Sequence, residues 1–202
     1  MRMKTEQTRQ RIVDAAYQCF WRSGFTRTSI DGIADRAKLT KRTIYSYYQS
    51  KDDLLAAVLN HHNDLARKRL SHMGDQMPDD PDGMIESFFD QLARWVAATP
   101  RWPGAGFTKL VVELAHLPGH PARSIARRHK ATTEAWLAER LSKARVAFPV
   151  ERAREIMLLM EGSMALTLIH GNRTYIDAAK CASKRLIRTS RSSVQKRLAS
   201  GR

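Results

Sequence analysis

Apolar residues recur at helical spacing along almost the whole chain, and no stretch alternates apolar and polar positions as a half-buried strand would. Over 5–22, Ile12, Ala15, Ala16, Cys19 and Phe20 form one stripe of an amphipathic helix, and Gly24 stands where a helix C-terminus favours glycine. A short helix follows, N-capped by Thr28 or Ser29, with Ile30, Ile33, Ala34 and Ala37 turned inward. Thr40 opens a second short helix, with Ile44 and Tyr48 inward. Ser50-Lys51-Asp52-Asp53 reads as a capping box and starts a long helix to about residue 73, its apolar positions including Leu54, Leu55, Val58, Leu59, Leu65 and Leu70. The stretch 74–82 (GDQMPDDPD) is a loop, from which Asp80-Pro81 supplies a cap and an N1 proline for a helix to about residue 99. Pro100-Arg101-Trp102-Pro103-Gly104 breaks the chain again. Further helices are predicted over about 105–117, 121–146, 149–170 and 174–188, with a polar, basic remainder left unstructured. The sum is an all-α chain of about nine helices with no strand and no internal repeat.

With 202 residues, 43% of them hydrophobic, the chain can bury one or two ordinary cores. Uninterrupted apolar runs such as 54–59 and 156–160 are far short of the roughly 20 residues a membrane helix needs, so no membrane contact is expected. The polar start MRMKTEQTRQR lacks the apolar segment of a secretory signal, and Cys19 and Cys181 lack metal or redox spacing. A cytoplasmic protein with unpaired thiols is the expectation. Net charge changes the picture more. Of the formal +15, residues 1–51 carry +7 and residues 180–202 carry +8, while the 128 residues between them sum to zero. Two basic ends around a neutral middle suit polyanion binding at the ends, although a basic tail can also serve solubility alone.

Two short helices joined by a tight turn and packed on a preceding amphipathic helix form a helix-turn-helix signature. The second helix would expose Lys41, Arg42, Thr43, Tyr45, Ser46 and Tyr47, side chains suited to phosphates and base edges in a major groove. The stretch 25–55 (FTRTSIDGIADRAKLTKRTIYSYYQSKDDLL) resembles the DNA-binding region of the tetracycline-repressor (TetR) family of transcriptional regulators. The matching pieces are Gly24-Phe25, Thr28-Ser29, Ile33-Ala34, Ala37, Thr40, Thr43-Ile44-Tyr45, Tyr47-Tyr48 and Ser50-Lys51. Carried over residue by residue, the resemblance places Thr28, Lys41, Thr43, Tyr45, Tyr47 and Lys51 at DNA, and Arg42 and Ser46 share that face. Where the family usually has a turn glycine this chain has Lys38, at a position that calls for positive φ and could add a phosphate contact. Gly32, inside the first short helix, costs about 1 kcal/mol relative to alanine for no reason visible in the sequence.

The resemblance implies a homodimer with a DNA-binding domain at 1–51, a larger helical effector-binding and dimerisation domain at 52–190, and a basic, unstructured tail at 191–202. Its expected partners are double-stranded DNA, a small-molecule effector and a second copy of the chain. Phe88, Trp95, Phe107, Val111, Trp136 and Met160, with Glu113 and His116 as polar members, are the candidates to line a pocket for a mostly hydrophobic effector. For any one of them, plain core packing is the alternative. Leu159, Ser163, Leu166, Tyr175, Ala178, Ala182 and Leu186 are the candidates for a two-fold interface made by the last two helices. Gly104-Ala105-Gly106 lacks the strand and third glycine of a nucleotide site, Ser163 lacks a nucleophile-elbow context, and the histidines are scattered. The reading is therefore a non-enzyme with no cofactor and no metal: a sequence-specific regulator, most simply a repressor released from a pseudo-palindromic operator. The alternative is a non-specific basic nucleic-acid-binding protein.

Overall fold

Helix ends in this chain follow local chemistry that a computed structural model makes explicit; it describes residues 2–99, 104 and 106–199. Trp102, the rest of the 100–103 break, Ala105 of the Gly104-Ala105-Gly106 run and the last three residues lie outside the described residues. Among the described residues there are nine helices and no strand: α1 (Arg2–Ser23), α2 (Ile30–Ala37), α3 (Lys41–Tyr45), α4 (Lys51–Gln76), α5 (Pro81–Ala98), α6 (Gly106–Glu113), α7 (Pro121–Lys143), α8 (Pro149–His170) and α9 (Thr174–Ala199). No described helix is long and apolar enough to cross a membrane.

The caps explain most boundaries. Ser29, rather than Thr28, caps α2 by accepting from the Gly32 amide, Thr40 caps α3 through the Thr43 amide, and Asp80 caps α5 through the Gly83 amide. Ser50 accepts from the Asp53 amide while Asp53 accepts from the Gln49 amide, close to the capping box expected at α4. α2 closes on Lys38, in the left-handed region at φ 53°, with the Leu39 amide reaching back to the Ala34 carbonyl. Arg145, at φ 56°, closes α7 in the same way.

Four boundaries differ from the sequence reading. α4 runs through Gly74 to Gln76, and the glycine leaves room for the Arg140 guanidinium, which a Cβ there would approach to 2.0 Å. α6 stops at Glu113, where 114–120 tightens into consecutive turns before Pro121 instead of winding on to 117. α7 ends at Lys143, three residues early, because Arg145 takes the left-handed conformation. α9 continues to Ala199, so most of the tail expected to be unstructured is helical. No proline or glycine interrupts it before Gly201.

Packing divides the chain into two units. The first comprises Met1–Arg67 and Gly106–Lys130, the second Lys68–Ala105 and Ala131–Arg202. The first core gathers Ile12, Ala16 and Phe20 of α1, Ile33 of α2, Ile44 of α3, Leu54, Leu55 and Val58 of α4, and Leu110, Leu114 and Ile125. It therefore does not close at residue 51: the three N-terminal helices borrow apolar side chains from α4, α6 and α7. The second core gathers Ile85, Phe88 and Phe89 of α5, Leu137 and Leu141 of α7, Ile156 and Met160 of α8, and Ile176 and Ile187 of α9. A polar ladder runs beside it. Lys180 meets Asp90 at 2.8 Å, Lys184 meets Glu86 at 2.7 Å and Arg188 meets Asp82 at 3.0 Å, so residues four apart on α9 match residues four apart on α5. Three of the basic residues near the C-terminus are thus partnered by α5 rather than offered to a polyanion.

Candidate nucleic-acid interface

A short helix can present a polar face only if something behind it is rigid, and α3 has such a brace. Ile44 is fully buried and Tyr48 nearly so, both packed into the first core. Burial pushes the Tyr48 phenol above its usual range, and its hydroxyl has no hydrogen-bond partner among the described residues. On the opposite side, Lys41, Arg42, Tyr45 and Ser46 are exposed, with Thr43 and Tyr47 partly so; Tyr45 has 47% of its surface free. The Thr40 and Thr43 hydroxyls lie 2.8 Å apart, and the Ser46 hydroxyl donates to the Thr43 carbonyl, which ties these small side chains to the helix they sit on.

The turn before α3 is held from α1. Arg11 donates through Nη2 to the Ala37 carbonyl at 2.7 Å and to the Lys38 carbonyl at 3.3 Å, pinning the left-handed residue while leaving the Lys38 side chain exposed. Lys41 is paired with Asp31 of α2 at 3.0 Å, and the Asp31 hydrogen bond and charge hold its ammonium above the usual lysine range. The Lys51 ammonium donates to the Phe25 and Thr28 carbonyls at 3.0 and 3.1 Å and stands 4.3 Å from the centre of the Phe25 ring. Thr28, of the residues read as DNA contacts, is buried at 6% exposure, and its hydroxyl donates to the Gly24 carbonyl at 2.6 Å. Lys38, Lys41, Arg42, Thr43, Tyr45, Ser46 and Tyr47 thus lie on α3 and the turns flanking it, while Lys51 opens α4 and grips the loop that buries Thr28.

The pocket candidates fall in both units. Phe107, Val111, Glu113 and His116 fall in the first unit, and Phe88, Trp95, Trp136 and Met160 in the second. In the second, the Phe88 and Trp136 rings lie 6.2 Å apart. In the first, Phe107 stacks on His129 at 4.0 Å, and Glu113 accepts from the Phe25 and Thr26 amides. On α8 and α9, Ser163 is 4% exposed and its hydroxyl turns back to the Met160 carbonyl. Leu159, Tyr175, Ala182 and Leu186 are half-buried, while Leu166 and Ala178 are exposed. Sequence reading passed over Leu158 and Ile169, at 70% and 71% exposure, which continue the apolar face of Leu166 past the open Gly162. Their signal was present as the spacing 158, 162, 165/166, 169. Arg11, Asp31 and Lys109 were passed over too, since charged residues on helices read first as solvated.

This arrangement defines a helix-turn-helix protein. Residues 12–58 match the model of the bacterial regulatory proteins of the tetR family. Over that stretch the chain is similar to the DNA-binding region of that family. It is 34% identical over 128 residues to the HTH-type transcriptional repressor SCO4008 of Streptomyces coelicolor, covering 60% of this chain and 62% of that one. It is likewise 34% identical over 93 residues to the HTH-type transcriptional regulator TtgR of Pseudomonas putida, covering 44% and 42%. The matches therefore span less than two thirds of these relatives. In fold the chain is similar to the TetR-family regulator SCO4454 of Streptomyces coelicolor, with TM-score 0.82 and 22% identity over 92% of this chain and 96% of that one. It is also similar to reduced NemR of E. coli, with TM-score 0.79 and 21% identity over 89% and 97%.

Proposed function

We propose that this protein is a sequence-specific DNA-binding transcriptional regulator acting as a repressor. It would work as a homodimer on a pseudo-palindromic operator and be released by a small, mostly hydrophobic effector. One observation carries the reading: α3 turns Lys41, Arg42, Thr43, Tyr45 and Tyr47 outward over a buried Ile44–Tyr48 brace, while the Arg11 and Lys51 hydrogen bonds fix both of its flanks. Arg and Lys suit phosphates and guanine edges, and Thr and Tyr supply further hydroxyls. The names of the relatives support regulation, and that of SCO4008 supports repression.

The dimer rests on the exposed apolar face of α8, where Leu158, Leu166 and Ile169 surround a glycine with open space above it. A face of this kind suits the self-complementary contact of a two-fold pair. The effector reading rests on Phe88, Trp95, Trp136 and Met160, which the second unit gathers around α5, α7 and α8. Selection of binding sites from a random duplex pool tests the function. Recovery of an inverted repeat with a fixed half-site spacing is the expected result. A pool that stays random through successive rounds, bound in proportion to duplex length, overturns it in favour of a non-specific polyanion binder.

A further inference from the structure

The junction between α1 and α2 is held by two charges from more than eighty residues along the chain. α1 ends at Ser23, and Gly24 takes the left-handed region at φ 84°. Lys109 of α6 donates to the Trp21 and Arg22 carbonyls, at 2.8 and 3.5 Å. One helical turn later, Glu113 accepts from the Phe25 amide at 2.8 Å and the Thr26 amide at 2.7 Å, one carboxylate oxygen to each. The cation thus meets the carbonyl end of a helix and the anion meets the first free amides beyond it, which is the favourable sense for both. Gly24 is part of the fit, because a Cβ there would stand 2.8 Å from a Glu113 carboxylate oxygen.

Two of the four bonds, to the Thr26 amide and the Arg22 carbonyl, lie at the surface, where water could replace the charge, and the two to the Phe25 amide and the Trp21 carbonyl are partly buried. What water could not supply is position. The 24–28 loop leads directly into the Ser29 cap of α2, and Lys51 grips the same loop through the Phe25 and Thr28 carbonyls.

We propose that Lys109 and Glu113 are positioning residues for DNA recognition: without touching the duplex they lock the 24–28 loop, and through it α2 and the reading helix α3, in the setting that fits the groove. The proposal rests on the DNA-binding reading above. The test measures anisotropy of the selected duplex and of a scrambled duplex of equal length across a salt series. The proteins are wild type, Glu113→Gln, Glu113→Ala, Lys109→Met and Lys109→Arg, each with a melting curve and amide exchange at Phe25 and Thr26.

Glu113→Ala and Lys109→Met are expected to lose about tenfold in affinity for the selected duplex, within the usual range of coupling between sites. Binding to the scrambled duplex and the slope of log K against log salt should not change, because no phosphate contact is lost. Amide exchange should quicken at Phe25 and Thr26 while the protein stays folded, and Lys109→Arg should bind as wild type. Wild-type affinity in both disruptive variants overturns the proposal. So does equal weakening on both duplexes with a flatter salt slope, which would make these residues phosphate contacts, and so does loss of the folded state even in Glu113→Gln. A wild-type chain that prefers no duplex overturns the DNA-binding reading itself, and the proposal with it.

Discussion

Replacing Lys51 by methionine keeps the length of the side chain but removes its charge and its three donors. Two of those donors reach the Phe25 and Thr28 carbonyls, and the ammonium stands over the Phe25 ring. A hydrogen bond from a charged donor contributes roughly 1.5–3 kcal/mol when well formed. Both are only partly buried, so we take the lower part of that range for the pair and add about 0.5 kcal/mol for the ring contact. The expected loss is about 2–3 kcal/mol. For a chain of this size, each kcal/mol lowers the melting temperature by roughly 2–4 °C, so Lys51→Met should melt about 5–10 °C early. Under the proposed DNA-binding role the third donor meets a phosphate, and its loss should then flatten the slope of log K against log salt by about one unit. Differential scanning calorimetry and anisotropy titrations across salt read the two effects separately. An unchanged melting point would refute the brace drawn from the hydrogen bonds, and an unchanged slope would remove Lys51 from the DNA contacts.

Lys184→Glu places an acid opposite Glu86 and between Asp82 and Asp90 in the α5–α9 ladder. It should cost roughly 1–2 kcal/mol, as lost attraction plus repulsion between partly exposed charges, and Glu86→Lys in the same chain should restore the melting point. Leu158→Arg or Ile169→Arg should shift sedimentation toward monomer with the fold intact, whereas Ser163→Arg should lower the melting point, because Ser163 is 4% exposed within its own chain. An unchanged dimer in both arginine variants on the exposed face would move the interface elsewhere. Burial alone would raise the Glu113 carboxyl, but the hydrogen bonds from Thr26 and Phe25 and the charge of Lys109 hold it below the usual carboxylate range. A carboxyl depressed in the folded state stabilises fully above its unfolded value and loses that contribution as pH falls through the folded one. The Phe25 and Thr26 amide resonances should therefore stay constant from neutral pH into the mildly acidic range and titrate only below it. A midpoint at or above the usual carboxylate range would contradict the latch geometry.

The helical stripes were legible because each buried face is continuous in sequence: Ile12, Ala16 and Phe20, or Ile30, Ile33 and Ala37, need no partner to be recognised. Caps were legible for the same reason, since Thr40, Ser50 and Asp80 act within three residues of themselves. The left-handed turn at Lys38 was implied by the resemblance, since the family usually has a glycine there, but its support could not be anticipated, because Arg11 arrives from 26 residues away. Long-range polar pairs were the blind spot. Lys109 and Glu113 stand in an apolar helix, and only the fold reveals that both address one loop. The basic C-terminus misled in part for the same reason: Lys180, Lys184 and Arg188 look free until α5 supplies their acids. Gly74 reads as a helix end because a lone glycine often is one, yet here it makes room for an arginine from α7.

The central claim is that α3 reads a duplex sequence and that a two-fold pair reads two half-sites. The most direct measurement is anisotropy at physiological salt with three duplexes of equal length: the selected inverted repeat, the same duplex with one half-site scrambled, and a fully scrambled one. The account predicts at least about 10³-fold tighter binding to the intact repeat than to the scrambled duplex. The single half-site should fall between them, with two chains bound per intact repeat. Equal affinity for all three duplexes, growing only with length, would contradict it.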